Sequence, residues 1–143
     1  MSANLVIDFR TYPAGHVMKT SFAIASQRFD AIGGAAGHLM VHARENDIGL
    51  GFDSAGLRIQ LSKSFDQLEL KVGSFAEPVT LSALDAMGTL LHQQQIQPPN
   101  KIVAVALNVP GVRTLELTGG TNEGTLFELA AYFSERDLSF RSS

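Results

Sequence analysis

The sequence contains no cysteine, which removes disulfide bonds, thiolate metal sites and cysteine nucleophiles from consideration. Its lysine and arginine residues form no basic run, and the formal net charge is −3. Because nucleic-acid binding needs clustered positive charge that displaces counterions, no nucleic-acid partner is expected. The N-terminus lacks the pattern of a signal peptide, and no apolar run approaches the roughly 18 residues of a membrane span. We therefore expect a soluble, cytoplasmic protein without a membrane partner.

The composition does provide enough apolar material for a core. Of the 143 residues, 45% are hydrophobic and 17% are charged, proportions that are typical of globular proteins. A chain of this length fits one domain. Since no internal repeat or linker divides the sequence, residues 1–143 are predicted to form a single domain.

Three stretches have the three- and four-residue apolar spacing of amphipathic helices. The first ends at Gly33 and Gly34, which suit a helix C-cap, the second follows Pro78, and the third begins at a capping box. The stripes are Met18, Phe22, Ala25, Phe29 and Ile32; then Leu84, Met87 and Leu91; then Leu126, Leu129, Ala130 and Phe133, after the box residues Thr125 and Glu128.

Between Leu39 and Val72 the apolar period changes to two, with turn signals at "REND", "DSAG" and "SKSFD". This pattern predicts an antiparallel meander of four strands with one apolar face. Further strands are predicted at Leu5–Arg10, Lys101–Asn108, Val112–Leu117 and Leu138–Arg141, the second and third of these pairing with each other. The predicted fold class is therefore α+β, a single antiparallel sheet with about three helices packed on one face.

Turns of two residues fix the expected register of the meander. A turn at Glu45-Asn46 pairs Ala43 with Ile48 and places His42 opposite Gly49, Met40 opposite Gly51 and His38 opposite Asp53. A second turn places Gly49 opposite Gln60 and Gly51 opposite Arg58. Glycine inside a strand often marks close approach by a ligand or another backbone. The outer face is therefore predicted to bind a protein partner or a second copy of the chain; its residues are His38, Met40, His42, Gly49, Gly51, Asp53, Arg58 and Gln60.

The histidines His38 and His42 lie four residues apart, a spacing that allows one metal ion to be shared on a helix. On a strand, four residues span about 13 Å, which is too far for two metal–nitrogen bonds of about 2 Å. The alternating pattern around them favours the strand. Neither a metal site nor a cofactor is predicted.

The glycine-rich segment Thr118–Thr125 joins a predicted strand to a predicted helix N-terminus, where backbone N–H groups can receive a small anion. Its candidate ligand-binding residues are Gly119, Gly120, Thr121 and Asn122. The segment Asn122–Phe140 resembles the loop, first helix and second strand of ACT domains, which sense amino acids, but no remainder of such a unit follows and the family is not assigned. The order of predicted elements is also similar to that of class I type III secretion chaperones, in layout alone.

These patterns predict a small binding or adaptor protein, homodimeric, that engages a protein partner through a sheet face. One alternative is a metabolite-binding regulatory module that uses Thr118–Thr125. Another is an enzyme that uses His38, His42 or Asp53. Neither a nucleophile elbow nor a Ser-His-Asp order is present, which favours binding over catalysis.

Overall fold

The computed structural model describes residues 5–34, 39–44, 47–75, 77–97, 101–120 and 124–132. Within these ranges the regular elements are strands: β1 (Leu5–Asp8), β2 (Ser21–Ile24), β3 (Gln27–Ala31), β4 (Leu39–Arg44), β5 (Asp47–Phe52), β6 (Leu57–Phe65), β7 (Gln67–Ser74), β8 (Val79–Leu84), β9 (Leu90–Ile96), β10 (Lys101–Leu107), β11 (Val112–Gly119) and β12 (Gly124–Tyr132).

The strands of the described residues form two antiparallel sheets that pack face to face as a β-sandwich. Sheet A has the order β10-β7-β12-β5-β4, and β1 pairs with β12 beside β5. Sheet B has the order β2-β3-β6-β11-β8-β9. Consecutive strands often lie in different sheets, so the chain crosses repeatedly from one layer to the other.

The core lies between the two sheets and is filled by alternate residues of each strand. In β6, Leu57, Ile59 and Leu61 are buried, whereas Arg58 and Gln60 lie on the outer face. A strand with one buried face needs the same period-two pattern whether helices or a second sheet cover that face. The predicted strands were therefore compatible with a sandwich as well as with an α+β fold.

The predicted α+β fold is wrong, because the three segments that were expected to be helices form strands. The first expected helix is the hairpin of β2 and β3, joined by Ala25 and Ser26 at φ angles of 50° and 69°. Phe22 and Phe29 stack across this hairpin with ring centroids 5.1 Å apart. Two residues seven apart in the sequence can be neighbours across a short hairpin, and they also lie two turns apart on one face of a helix. The same spacing therefore arises from both structures.

The other two segments that were expected to be helices are also strands, and each has helical spacing for a different reason. The second is the hairpin of β8 and β9, in which Met87 lies in the turn between the strands. The third is β12, where Phe127 is an extra residue relative to β7. This bulge brings Leu126 and Leu129, three residues apart, to the same core face. The helix implied by the likeness to ACT domains is therefore absent from the described residues.

The predicted meander is confirmed for its first hairpin and wrong beyond it. β4 and β5 pair with Met40 opposite Gly51, His42 opposite Gly49 and Ala43 opposite Ile48, as predicted. After β5 the chain crosses to sheet B, where β6 pairs with β3 and β11. The expected pairing of β5 with β6 does not occur.

A similar crossing separates the last predicted pair of strands. β10 lies beside β7 in sheet A, whereas β11 lies between β6 and β8 in sheet B. The predicted strand at Leu138–Arg141 falls outside the described residues. Among the residues that the structure describes, no helix has the length and apolar character required to cross a membrane.

Candidate functional site

The outer face of sheet B carries a row of polar side chains across neighbouring strands. Asp30, Arg58, Glu116, Ser82 and Gln93 follow one another from β3 to β9 in the strand register. The Arg58 Nε atom donates to Glu116 Oε2 at 2.8 Å, and Gln93 Nε2 donates to Ser82 Oγ at 3.0 Å. This face therefore combines hydrogen-bond donors and acceptors on a rigid support.

A cleft of about 360 Å³ lies on this face, against the turn between β8 and β9. We call it the sheet B cleft. Polar side chains from β6 and β11 form its floor, and apolar side chains of the β8–β9 hairpin lie at its edge. The lining residues that matter here are Arg58, Gln60, Thr114, Glu116, Leu84 and Met87.

The turn beside the sheet B cleft is held in one conformation by Asp85. Its Oδ1 atom accepts hydrogen bonds from the backbone N–H groups of Met87 and Thr89, both at 2.9 Å. The backbone of Asp85 also donates to Thr89 O at 3.0 Å, and Gly88 supplies a φ of 83°. In a turn, such hydrogen bonds from backbone N–H groups to an aspartate side chain take the place of the hydrogen bonds that strand pairing would provide. The side chain of Met87 is consequently presented to solvent, 89% exposed, on an ordered support.

The ion pair of Arg58 and Glu116 leaves part of each group available to a ligand. The contact joins one guanidinium nitrogen to one carboxylate oxygen, and the side chains are 38% and 26% exposed. An ion pair at this exposure contributes less than about 1 kcal/mol to stability. Its larger consequence is positional, because it fixes several donors and acceptors at the centre of the cleft.

The predicted glycine track of β5 lies on the outer face of sheet A and is covered by rings of this chain. A Cβ atom at Gly49 would lie 2.8 Å from Phe127 Cδ1, and one at Gly51 would lie 2.7 Å from His42 Nε2. Gly73 of β7 lies under Phe75 and Phe127 in the same way. The glycines thus accept aromatic rings of their own chain, which accounts for their close approach without a ligand. Binding of a partner to this face stays a prediction.

An ion network lies near the same glycines. Arg10 Nε and Nη2 donate to the two carboxylate oxygens of Asp47 at 3.1 and 3.2 Å. Burial opposes ionisation of Asp47, but hydrogen bonds from Arg10 and from the Ile48 N–H, with the attraction of nearby cations, hold its pKa below the usual value. The hydrogen bond to Asp47 likewise raises the pKa of Arg10. Glu128 lies 3.8 Å from both Arg10 and Lys71, so the charges on this face are largely neutralised.

The remaining predicted site residues are dispersed. Met40 and His42 lie in sheet A, Arg58 and Gln60 lie in sheet B, and Asp53 accepts a hydrogen bond from the Gly56 N–H in the connection between them. His38, Thr121 and Asn122 fall outside the described residues. The backbone N–H groups of Gly119 and Gly120 donate to Ser54 O and Pro78 O, both at 3.1 Å, and no helix follows them in the described residues.

Sequence reasoning found two members of the sheet B cleft, Arg58 and Gln60, but missed Glu116, Asp85 and Met87. The signal for the turn was present, since an aspartate three residues before a glycine is typical of a turn. It was overlooked because the surrounding residues matched a helical stripe. Among the described residues, no group of three or more histidine, aspartate or glutamate side chains is arranged to hold a metal ion.

No protein-family model matches the chain, and no curated protein matches it. Solved structures do resemble it. A family 6 carbohydrate-binding module, whose binding sub-sites were dissected by crystallography and calorimetry, aligns with a TM-score of 0.51 and 16% identity, over 92% of this chain and 95% of that chain. The apo structure of CBM1 of BiXyn10A aligns with a TM-score of 0.50 and 8% identity, over 94% of this chain and 100% of that chain. This chain shares their β-sandwich fold. At these identities the likeness concerns the fold alone.

Proposed function

We propose that this protein is a carbohydrate-binding module and that its ligand binds in the sheet B cleft. The observation that carries the proposal is the fixed Arg58–Glu116 pair on the floor of the cleft, next to the ordered turn that presents Met87. The names of the two structural neighbours supply the ligand class, and the side chains of the cleft are compatible with it.

The chemistry of the cleft suits a neutral oligosaccharide. Each sugar hydroxyl can donate and accept a hydrogen bond, and the cleft offers donors at Arg58 and acceptors at Glu116, with Gln60 and Thr114 able to do both. The C–H surface of a sugar ring needs an apolar contact, which Leu84 and Met87 supply at the edge. The lining carries one cation, Arg58, and two carboxylates, Glu116 and Asp85, so a neutral ligand is favoured over an anion.

The test is a titration of the protein with a panel of neutral oligosaccharides, followed by calorimetry on the best ligand. We expect Glu116→Ala to weaken binding at least tenfold, or about 1.4 kcal/mol, because it removes an acceptor and releases Arg58. The matched control is Glu128→Ala, the same substitution on the other sheet, which breaks ion pairs with Arg10 and Lys71, both at 3.8 Å. Equal affinity of both variants, or saturable binding by none of the sugars, would contradict the proposal.

A protein partner is the second candidate, as expected from the sequence. It is favoured by the exposed apolar side chains of the β8–β9 hairpin, Met87, Leu90 and Leu91, since such patches often mark interaction sites. Loss of a co-purifying protein in Leu90→Asp, outside the cleft lining, with unchanged sugar binding, would support this candidate. A small anionic ligand at Thr118–Thr125, an enzymatic role and a cytoplasmic location stay predictions.

A further inference from the structure

One side of the sandwich is formed by two edge strands, β9 of sheet B and β10 of sheet A. Among the strands that the structure describes, each pairs with one neighbour only, β9 with β8 and β10 with β7. The two edges belong to the same side of the molecule, because β9 packs beside β7, which is the neighbour of β10. Within the described residues, the backbone groups on the outer edges of β9 and β10 therefore have no strand partner.

The sequence of this side is almost free of charge. From Ala86 to Val112, which includes both strands, Lys101 is the only aspartate, glutamate, lysine or arginine. Proteins usually protect exposed edges with charged residues, with proline inside the strand or with covering segments. Strand β9, with the sequence "LLHQQQI", has neither proline nor a formal charge, and its bulge at Leu91 is confined to the end next to the turn.

The edge of β4, on the other side of sheet A, illustrates such protection. Gly15 N donates to Val41 O at 2.7 Å, Met18 N donates to Leu39 O at 2.9 Å, and Val41 N donates to His16 O at 2.9 Å. Within the described ranges, no segment covers β9 or β10 in this way. The β9 edge also exposes 51% of Leu90 and 36% of Leu91. An unprotected strand edge with apolar side chains is suited to pairing with another strand.

We propose that a second copy of this chain pairs with β9, so that two sheets B form one continuous sheet in a symmetric dimer. An edge without charge is complementary to itself, since antiparallel pairing of β9 with β9 brings no like charges together. A bulge leaves Leu91 as an extra residue relative to β8, so the regular part of β9 is His92–Ile96. A register centred on Gln93 places Gln93 opposite Gln93 of the second copy and His92 opposite Gln94. This inference does not depend on the proposed sugar binding.

The test measures the mass of the full chain by analytical ultracentrifugation over a range of concentrations. We expect a twofold rise in mass with concentration for the wild type. Gln93→Lys and Gln93→Glu should each weaken association at least tenfold, because each places like charges at the centre of the interface. An equimolar mixture of the two variants should restore the dimer. The matched control is Ala23→Lys, on the opposite edge strand of the same sheet, which should dimerise as the wild type does.

Hydrogen exchange on the same samples identifies what covers β9. We expect the β9 amides that do not pair with β8 to become more protected as the concentration rises. A wild type that stays monomeric throughout, or a Gln93→Lys variant that dimerises normally, would overturn the proposal. So would protection of these outward amides that is independent of concentration, because it would mean that another part of the same chain covers the edge.

Discussion

Adding a single methyl group at Gly49 should destabilise the protein substantially, although the position lies on the outer face of a sheet. The new Cβ atom would lie 2.7 Å from Thr125 Cγ2, 2.8 Å from Leu126 O and 2.8 Å from Phe127 Cδ1. These distances are about 1 Å shorter than ordinary carbon contacts. Since β5 is held between β4 and β12, it cannot move away from them. Overpacking of this kind costs about 1–3 kcal/mol, so we expect that loss for Gly49→Ala.

Urea unfolding measures this loss. With a slope of about 1–3 kcal/mol per molar urea, a change of about 2 kcal/mol lowers the midpoint by roughly 1 M. Phe127→Ala should itself cost about 3–5 kcal/mol, because the ring is fully buried. The double variant should lose less than the sum, since removal of the ring relieves one close contact. Gly111→Ala measures backbone strain alone, because its Cβ meets no atom within 4 Å and its φ is 89°, whereas Gly49 has no positive φ and its loss reports packing. An unchanged midpoint for Gly49→Ala would refute the assignment of this glycine to ring packing.

Three further predictions concern ionisation and turns. Asp47→Asn should lower the free energy of unfolding at neutral pH. Because the folded-state pKa of Asp47 is lowered, the difference in stability from wild type should disappear as the pH falls below about 4. A stability difference that persists in acid unfolding curves would contradict the role of Arg10. Asp85→Ala should weaken ligand binding in the sheet B cleft and lower the free energy of unfolding in urea by about 1 kcal/mol. Asp85→Asn should retain the turn. Equal losses in the two variants would exclude the hydrogen bonds as the cause. Replacing Ala25 and Ser26 by Asn-Gly should raise stability by roughly 0.5–1 kcal/mol per site, measured by thermal unfolding, because both residues have positive φ.

Features that depend on residues close together in the sequence were predicted correctly, whereas features that depend on pairing between distant residues were not. The β4–β5 hairpin was predicted to the residue, because a two-residue turn and period-two alternation fix the register locally. Alternation does not specify which sheet a strand joins, so β6 was assigned to the wrong neighbour. The hairpin across Phe22 and Phe29 and the bulge at Phe127 produced helical spacing from extended chain. Both are cases in which side-chain spacing is shared by two backbone geometries.

The candidate cleft was predictable only in part for the same reason. Arg58 and Gln60 alternate within one strand and were selected together, but Glu116 lies beside Arg58 through the pairing of β11 with β6. That pairing joins residues far apart in the sequence and depends on the sheet order. Asp85 was hidden by an incorrect helix. Once the sheet order is available, the cross-strand neighbours of Arg58 follow directly from the register.

The β8–β9 hairpin links the two proposals, since its turn borders the sheet B cleft and its second strand forms the proposed dimer edge. The two roles involve different residues and can be separated experimentally. If both proposals hold, Asp85→Ala should weaken binding of a short oligosaccharide without changing the mass of the dimer. Gln93→Lys should do the reverse, and it should also weaken binding to a polymeric ligand, because two clefts on one continuous sheet face can bind the same chain. A polymer affinity that is identical for wild type and Gln93→Lys would mean that the clefts act independently.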